Sequence, residues 1–131
     1  MSPKMSATLT PYFTICGADA FITFMVEVFG ASVIKLDRHD DEKIKHARIK
    51  FHDDVIMLNE ANEQYPAIES QTHLYVNSVK TTYQLALDRG SLGLMKPMRR
   101  PHGDIMAGFK DPFGNVWWVA ERDNEVTIRD K

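Results

Sequence analysis

The side chains best suited to chemistry in this chain are a histidine and two glutamates at the ends of apolar segments. Glu60 closes the segment VIMLNE, Glu121 closes the segment VWWVAE, and His73 begins a third apolar segment. Imidazole nitrogens and carboxylate oxygens are common ligands of divalent metals. An imidazole also exchanges protons near neutral pH, which suits acid–base catalysis. His73 is a candidate catalytic residue, with a structural histidine at the start of a strand as the alternative, and the chemistry of the side chain alone does not decide between the two roles. The three side chains together are a candidate metal site.

The spacing of the two glutamates follows an internal repeat of about 60 residues. Three further pairs stand 59 to 61 positions apart: Phe24 and Tyr83, Gly30 and Gly90, and Met57 and Trp118. Each copy has one segment of helical period among shorter strand-like segments, which predicts the order β-α-β-β-β. The chain is thus predicted to be a single α+β domain over residues 1–131, with repeats at about 8–60 and 72–121, a linker at 61–71 and a C-terminal tail at 122–131.

Two segments have the periodicity of amphipathic helices. The first covers residues 18–29 and ends at Gly30, and the second covers 79–87 with Asn77 or Ser78 as its N-cap. Strands are predicted at residues 9–15, 32–38, 43–51, 55–59, 72–76, 92–98, 105–109 and 115–121. The alternation of the third strand slips near Lys45.

The segment DPFGN at residues 111–115 is a turn that feeds the last strand. Pro112 restricts φ, and Gly114 tolerates the positive φ of a tight turn. With RPHGD at 100–104, and Trp117 and Trp118 after the turn, this segment resembles small PhnB-like members of the vicinal-oxygen-chelate family. That family holds glyoxalases, extradiol dioxygenases and bleomycin-resistance proteins.

The resemblance covers about residues 8–121 and implies a particular architecture. Two βαβββ repeats would form a cupped, mostly antiparallel sheet that holds a ligand, with the helices on its outer side. It also implies a homodimer.

The same resemblance places the metal ligands of the family on the first and last strand of each repeat. By register these positions are Thr10 or its neighbour Tyr12, then Met57, His73 and Trp118. Only His73 is a usual ligand, whereas a catalytic zinc usually has three protein ligands. No cofactor is therefore expected. A divalent metal stays an alternative, held by His73 with Glu60 and Glu121.

The two glutamates lie three residues beyond the family positions. Because three is odd, a regular strand would point Glu60 and Glu121 to the opposite face, unless a bulge turned them back. The competing interpretation is a pair of solvated glutamates at strand ends.

Alternation along the strands predicts which side chains line the cup. The candidate ligand-binding residues are Tyr12, Thr14, Arg48, Met57, Asn59, His73, Tyr75 and Trp118. Arg48 shares its polar face with His46 and Lys50 and would bind an anion if that face is the cup rather than solvent. The loop around His102 is a candidate for closing the cup, although turn chemistry also explains Gly103 and Asp104.

Three functions are compatible with this pattern. The first is a small-molecule binder without the usual metal site of the family. The second is an enzyme of lyase, isomerase or dioxygenase type that uses displaced ligands or His73 as a base. The third is a non-catalytic accessory dimer.

Composition bounds the partners and the location. The 131 residues are 44% hydrophobic and 26% charged, with a net charge of −2. This balance gives no reason to expect a nucleic acid or a membrane as partner. One cysteine, Cys16, excludes an internal disulfide, and no apolar run suggests a signal peptide or a membrane span. A cytoplasmic location is expected.

Overall fold

The structure of the protein is a computed structural model that describes residues 9–122 of the 131 residues. In chain order the elements are β1 (Tyr12–Ile15), α1 (Ala18–Phe29), β2 (Ser32–Arg38), β3 (Ile44–Phe51), β4 (Asp54–Glu60), β5 (Gln71–Tyr75), α2 (Val79–Asp88), β6 (Leu92–Arg99), β7 (Ile105–Lys110) and β8 (Val116–Glu121). The order β-α-β-β-β occurs twice, so the predicted α+β fold with two repeats is confirmed.

Each repeat forms its own four-stranded mixed sheet. The strand order is β1-β4-β3-β2 in the first sheet and β5-β8-β7-β6 in the second sheet. The first strand of each repeat pairs in parallel with the last, and the other pairs are antiparallel. Equivalent residues therefore occupy equivalent places in the two sheets.

The start of β1 moves by three residues, and most other shifted boundaries move by one. Leu9 is 95% exposed, and β1 begins only after Pro11, which has no N–H to donate to a neighbouring strand. Gln71 belongs to β5 because it pairs with Val116. The connection between the two sheets is therefore residues 61–70, which we call the linker.

Both helices begin and end near the predicted residues. Gly30 adopts a left-handed conformation with φ 69° after the last turn of α1. The Ser78 side chain caps α2 by accepting a hydrogen bond from the backbone N–H of Thr81 at 3.2 Å. Neither helix within residues 9–122 has the length and apolar character that a bilayer crossing requires.

The two repeats share one aromatic core. Phe13 of β1 stacks on Trp117 of β8 with ring centroids 5.8 Å apart. Phe29 of α1 lies 5.0 Å from Trp117 and 6.2 Å from Phe109. Trp117 is 1% exposed and lies at the centre of these contacts. The core fixes the two repeats against each other because its side chains come from both.

A β-bulge explains the slip in the alternation of the third strand. Asp37 pairs with His46 and Arg38 pairs with Ile44, so Lys45 has no residue opposite it. The extra residue shifts the pattern by one place. After it, alternate side chains of β3 again point to the core and to solvent.

The turn at residues 111–115 is tied to the core and to the linker. Asp111 is 4% exposed. Its Oδ1 accepts hydrogen bonds from the backbone N–H groups of Phe113 and Asn115, both at 2.9 Å, and its Oδ2 accepts one from Trp117 Nε1 at 2.8 Å. The Asn115 side-chain oxygen accepts a hydrogen bond from the N–H of Ser70 at 2.9 Å. The turn whose sequence suggested the fold thus also joins the last strand to the core and to the linker.

Candidate functional site

The four positions predicted to correspond to the family's metal ligands form two cross-strand pairs. Tyr12 pairs with Met57 in the first sheet, and His73 pairs with Trp118 in the second sheet. The register thus selects Tyr12 rather than Thr10. All four side chains lie on faces that point away from the buried strand residues, and none of the four is buried. We call these faces the open faces of the two sheets.

Trp118 packs against Gly108 of the neighbouring strand on the open face of the second sheet. A Cβ atom on Gly108 of β7 would stand 2.2 Å from the Trp118 ring, so the ring rests directly on that glycine. The indole Nε1 donates a hydrogen bond to Gln71 Oε1 at 2.8 Å. The ring is therefore held at both ends. Trp118 forms an apolar surface where a metal ligand would stand in the family enzymes.

A cluster of polar and aromatic groups surrounds Tyr75, which shares a face of β5 with His73. The His73 ring meets the ring of Tyr75 edge-on at 5.0 Å. The Tyr75 hydroxyl donates a hydrogen bond to Asp104 Oδ2 at 3.0 Å, and His102 Nε2 lies 3.6 Å from the same oxygen. This hydrogen bond is the main cause that raises the pKa of Tyr75. Arg122 lies 4.0 Å over the Tyr75 ring. The loop around His102 thus reaches the candidate site through Asp104.

The two glutamates serve as helix caps, which neither interpretation of the sequence anticipated. Glu60 accepts hydrogen bonds from the N–H groups of Gly17 at 3.0 Å and Ala18 at 2.7 Å, at the start of α1. Glu121 accepts a hydrogen bond from the N–H of Val79 at 2.7 Å, at the start of α2. Carboxylates suit these places because helix N-termini carry partial positive charge and free N–H groups.

The odd spacing of three residues is the physical reason for this arrangement. It turns Glu60 and Glu121 away from the open faces and toward the helices. Across residues 9–122, no group of three histidine, cysteine, aspartate or glutamate side chains is arranged to hold a metal ion.

Replacing either capping glutamate by alanine should therefore cost stability. We expect Glu60→Ala and Glu121→Ala each to lower the free energy of unfolding by about 1–2 kcal/mol. Glu63→Ala, at an exposed linker position, is the matched control and should change it by less than about 0.5 kcal/mol. Urea unfolding measures all three variants. Equal losses in the three variants would contradict the capping role.

The linker and the open face of the first sheet line a cavity that is open to solvent. This linker cavity has a volume of about 630 Å³. It is lined by Tyr12, Thr14, His39, Lys45, Asn59, Asn62, Gln64, Tyr65, Pro66 and Ile68. Three of the predicted ligand-binding residues are among them: Tyr12, Thr14 and Asn59.

Hydrogen bonds hold the walls of the linker cavity in place. Thr14 Oγ1 donates to Asn59 Oδ1 at 2.9 Å on the sheet side. On the linker side, the N–H of Tyr65 donates to Asn62 Oδ1 at 2.7 Å. The N–H of Ile68 donates to the carbonyl oxygen of Thr14 at 3.2 Å, which ties the linker to β1. The cavity is therefore bounded by ordered backbone on both sides.

The other predicted ligand-binding residues lie elsewhere on the open faces. Arg48 is exposed and pairs with Met57 on the first sheet. His73 lines a cleft of about 340 Å³ between the two sheets. Tyr75 lines a third cavity, of about 450 Å³, with Arg122. The structure thus distributes the predicted set over several places.

Sequence reasoning missed the contribution of the linker, which it treated as a polar connection. A usable signal was present in Asn62 and Pro66, because asparagine and proline are typical of structured turns. That signal predicts a turn, but it does not say which surface the turn covers. Tyr65 and Ile68 therefore could not be placed beside Tyr12 from the sequence.

Comparison with known proteins agrees with this fold. The sequence model of the Glyoxalase/Bleomycin resistance protein/Dioxygenase superfamily matches residues 13–119. The chain belongs to this superfamily.

Individual proteins that are similar to this chain align with nearly its whole length. TioX from Micromonospora sp. ML1 superposes with a TM-score of 0.74 at 17% identity, over 90% of this chain and 99% of that one. A PhnB protein from Bacillus cereus superposes with a TM-score of 0.70 at 14% identity, over 88% and 99%. Protein Mb0911c of Mycobacterium bovis is 26% identical over an alignment of 139 positions, gaps included. The alignment covers 98% of this chain and 91% of the relative. At these identities the solved structures inform the fold alone.

The residues of this superfamily member do not fit the metal that the family implies. Tyr12, Met57 and Trp118 supply no imidazole, carboxylate or thiolate, and His73 stands alone among the four positions. Trp118 also covers its part of the sheet. Hard divalent cations need several convergent oxygen or nitrogen donors. We therefore derive no chemical step through a metal.

Proposed function

We propose that this superfamily member binds a small organic molecule in the linker cavity without the help of a metal. The observation that carries the proposal is the cavity itself. Its volume of about 630 Å³ falls in the range of small-molecule sites, which are concave and largely apolar with a few polar groups.

The lining of the linker cavity favours a ligand with a flat apolar body. Tyr12 is 54% exposed and Tyr65 is 57% exposed, so both rings offer surface that a ligand could cover. Aromatic rings bury a large area and interact with other rings in stacked or edge-on geometry. Amide side chains at Asn62 and Gln64 supply hydrogen-bonding groups at the rim.

Binding of a bicyclic aromatic amide, naphthalene-2-carboxamide, tests the proposal by isothermal titration calorimetry. We expect measurable binding to the wild-type protein. Tyr12→Ala and Tyr65→Ala should each weaken it by about tenfold, because each removes a ring that the ligand covers.

Tyr75→Ala is the matched control, because it removes a tyrosine from the open face of the second sheet. It should leave the affinity unchanged. Absence of binding by both this amide and the corresponding carboxylate would contradict the proposed function. Loss in Tyr75→Ala alone would move the ligand from the linker cavity to the second sheet, and would contradict the proposed location.

The expected homodimer and cytoplasmic location stay predictions. Exposed apolar side chains occur on one edge strand of each sheet, including Val33, Ile34 and Leu36 of β2 and Leu92, Leu94 and Met98 of β6. Contact between copies would bury such surface. Sedimentation equilibrium would distinguish a dimer from a 15.0 kDa monomer.

A further inference from the structure

The linker cavity is lined by basic and uncharged side chains and by no acidic one. Its lining residues include the basic side chains of Lys45 and His39, while none is an aspartate or a glutamate. The remaining lining groups are aromatic, aliphatic, hydroxyl or amide side chains. An anionic group placed in the cavity would therefore meet an attractive charge and no lining carboxylate.

The position of Lys45 depends on the β-bulge in β3. As the extra residue of the bulge it has no residue opposite it in β2, and bulges redirect side chains out of the regular alternation. Lys45 thereby lines the same cavity as Tyr12 and Tyr65. In a regular strand without the extra residue, the alternation of side chains would not turn Lys45 toward this cavity.

Neighbouring carboxylates are mostly engaged by other partners. Both oxygens of Glu60 accept hydrogen bonds from the start of α1. Asp37 lies 3.8 Å from Lys35, and Asp41 accepts a hydrogen bond from the N–H of Lys43 at 3.0 Å. Asp40 lines an adjacent cavity, which it shares with His39. Within residues 9–122, Lys45 takes part in none of the ion pairs that the structure shows.

From this arrangement we propose that the linker cavity selects planar aromatic anions, with the anionic group at Lys45 and the ring between Tyr12 and Tyr65. The proposal rests on the proposed function, since it names the ligand class of the same cavity. An ammonium attracts a carboxylate or phosphate as a point charge, and a charged hydrogen bond is stronger than a neutral one. The aromatic surface supplies the rest of the contact.

The test compares two probes of similar shape that differ in charge. They are 2-naphthoate and naphthalene-2-carboxamide, titrated calorimetrically into the wild-type protein and into Lys45→Gln. We expect the carboxylate to bind about tenfold more tightly than the amide to the wild type. In Lys45→Gln this preference should fall to about twofold or less, and added salt should weaken carboxylate binding in the wild type.

Lys50→Gln is the matched control, because it makes the same charge change on the same strand at an exposed residue outside the cavity lining. It should keep the preference for the carboxylate. Equal affinities of the two probes for the wild type would overturn the selectivity but leave the proposed function intact. An equal loss in Lys50→Gln would also overturn it, since general surface charge would then explain the preference. Failure of both probes to bind would overturn the proposed function and this inference with it.

Discussion

Replacing Asp111 by alanine is expected to lower the free energy of unfolding by about 3–5 kcal/mol. The substitution removes the acceptor of three hydrogen bonds, from the N–H groups of Phe113 and Asn115 and from Trp117 Nε1. Asn115 and Trp117 are each only 1% exposed, so water cannot readily replace the lost acceptor. A buried donor without a partner costs about 1–3 kcal/mol. Urea unfolding followed by circular dichroism measures the loss.

Asp111→Asn separates the turn from the indole contact. Its side-chain oxygen can still accept from the turn, but its amide N–H₂ would face Trp117 Nε1, which is also a donor. We expect a loss between zero and that of the alanine variant. Asp53→Ala, at an exposed position in the turn between β3 and β4, is the control and should cost less than about 0.5 kcal/mol. A loss in Asp111→Ala as small as that of this control would contradict the anchoring role.

The titration of Asp111 gives this comparison a pH dependence. Burial raises the pKa of the Asp111 carboxyl above its ordinary value of 3.8, although the hydrogen bonds from Trp117 and the turn oppose the rise. An acid with a raised pKa binds its proton more tightly in the folded state. Its contribution to stability is therefore fully present below 3.8 and is lost as the pH rises through the folded value. The stability of wild type minus that of Asp111→Asn should fall over this range, and a rise would contradict the shift.

Gly108→Val is expected to lower the free energy of unfolding by about 1–3 kcal/mol and to displace Trp118. The first added carbon would stand 2.2 Å from the Trp118 ring, which a ring held by Gln71 cannot accommodate in place. The indole must leave the sheet, lose its hydrogen bond and expose apolar surface. Urea unfolding measures the stability, and near-ultraviolet circular dichroism reports the altered environment of the ring.

A double-mutant cycle with Trp118→Ala is the control for this prediction. Without the ring, Gly108→Val should cost much less, which would give a coupling energy of about 1–2 kcal/mol between the two positions. Similar costs of Gly108→Val in both backgrounds would show that the backbone of β7, rather than the Trp118 ring, requires glycine. The contact between Gly108 and Trp118 would then not explain why the Trp118 ring lies where it does.

Local features of the fold were predictable where one chemical rule dominates. Gly30 ends α1 because glycine readily adopts the left-handed conformation that follows the last helical turn. Ser78 caps α2 through its hydroxyl. Trp117 lies in the core because alternation along β8 turns adjacent side chains, here Trp117 and Trp118, to opposite faces of the sheet. Even the slip near Lys45 was visible as a break in period, which the structure explains as a β-bulge.

The candidate site was less predictable because its contacts join distant parts of the chain. Glu60 bonds to the amides of Gly17 and Ala18, which precede it by more than 40 residues. Alternation correctly turned the side chain away from the open face, but it could not name the helix start as its partner. Likewise, Tyr65 of the linker reaches the cavity that Tyr12 lines only because the linker folds back along β1.

The sequence by itself determined the repeat, the order of the elements and the family, because periodicity, capping and turn chemistry act between residues close in the chain. It also predicted that three of the four positions matching the family's metal ligands hold unsuitable side chains. Only the tertiary structure decided what these side chains and their neighbours contact. How the helices, the linker and the sheets pack sets the partners of Glu60, Glu121 and Trp118, and places Lys45 in one cavity with two tyrosines. Such packing is set by the sum of many weak long-range contacts, which no local pattern records.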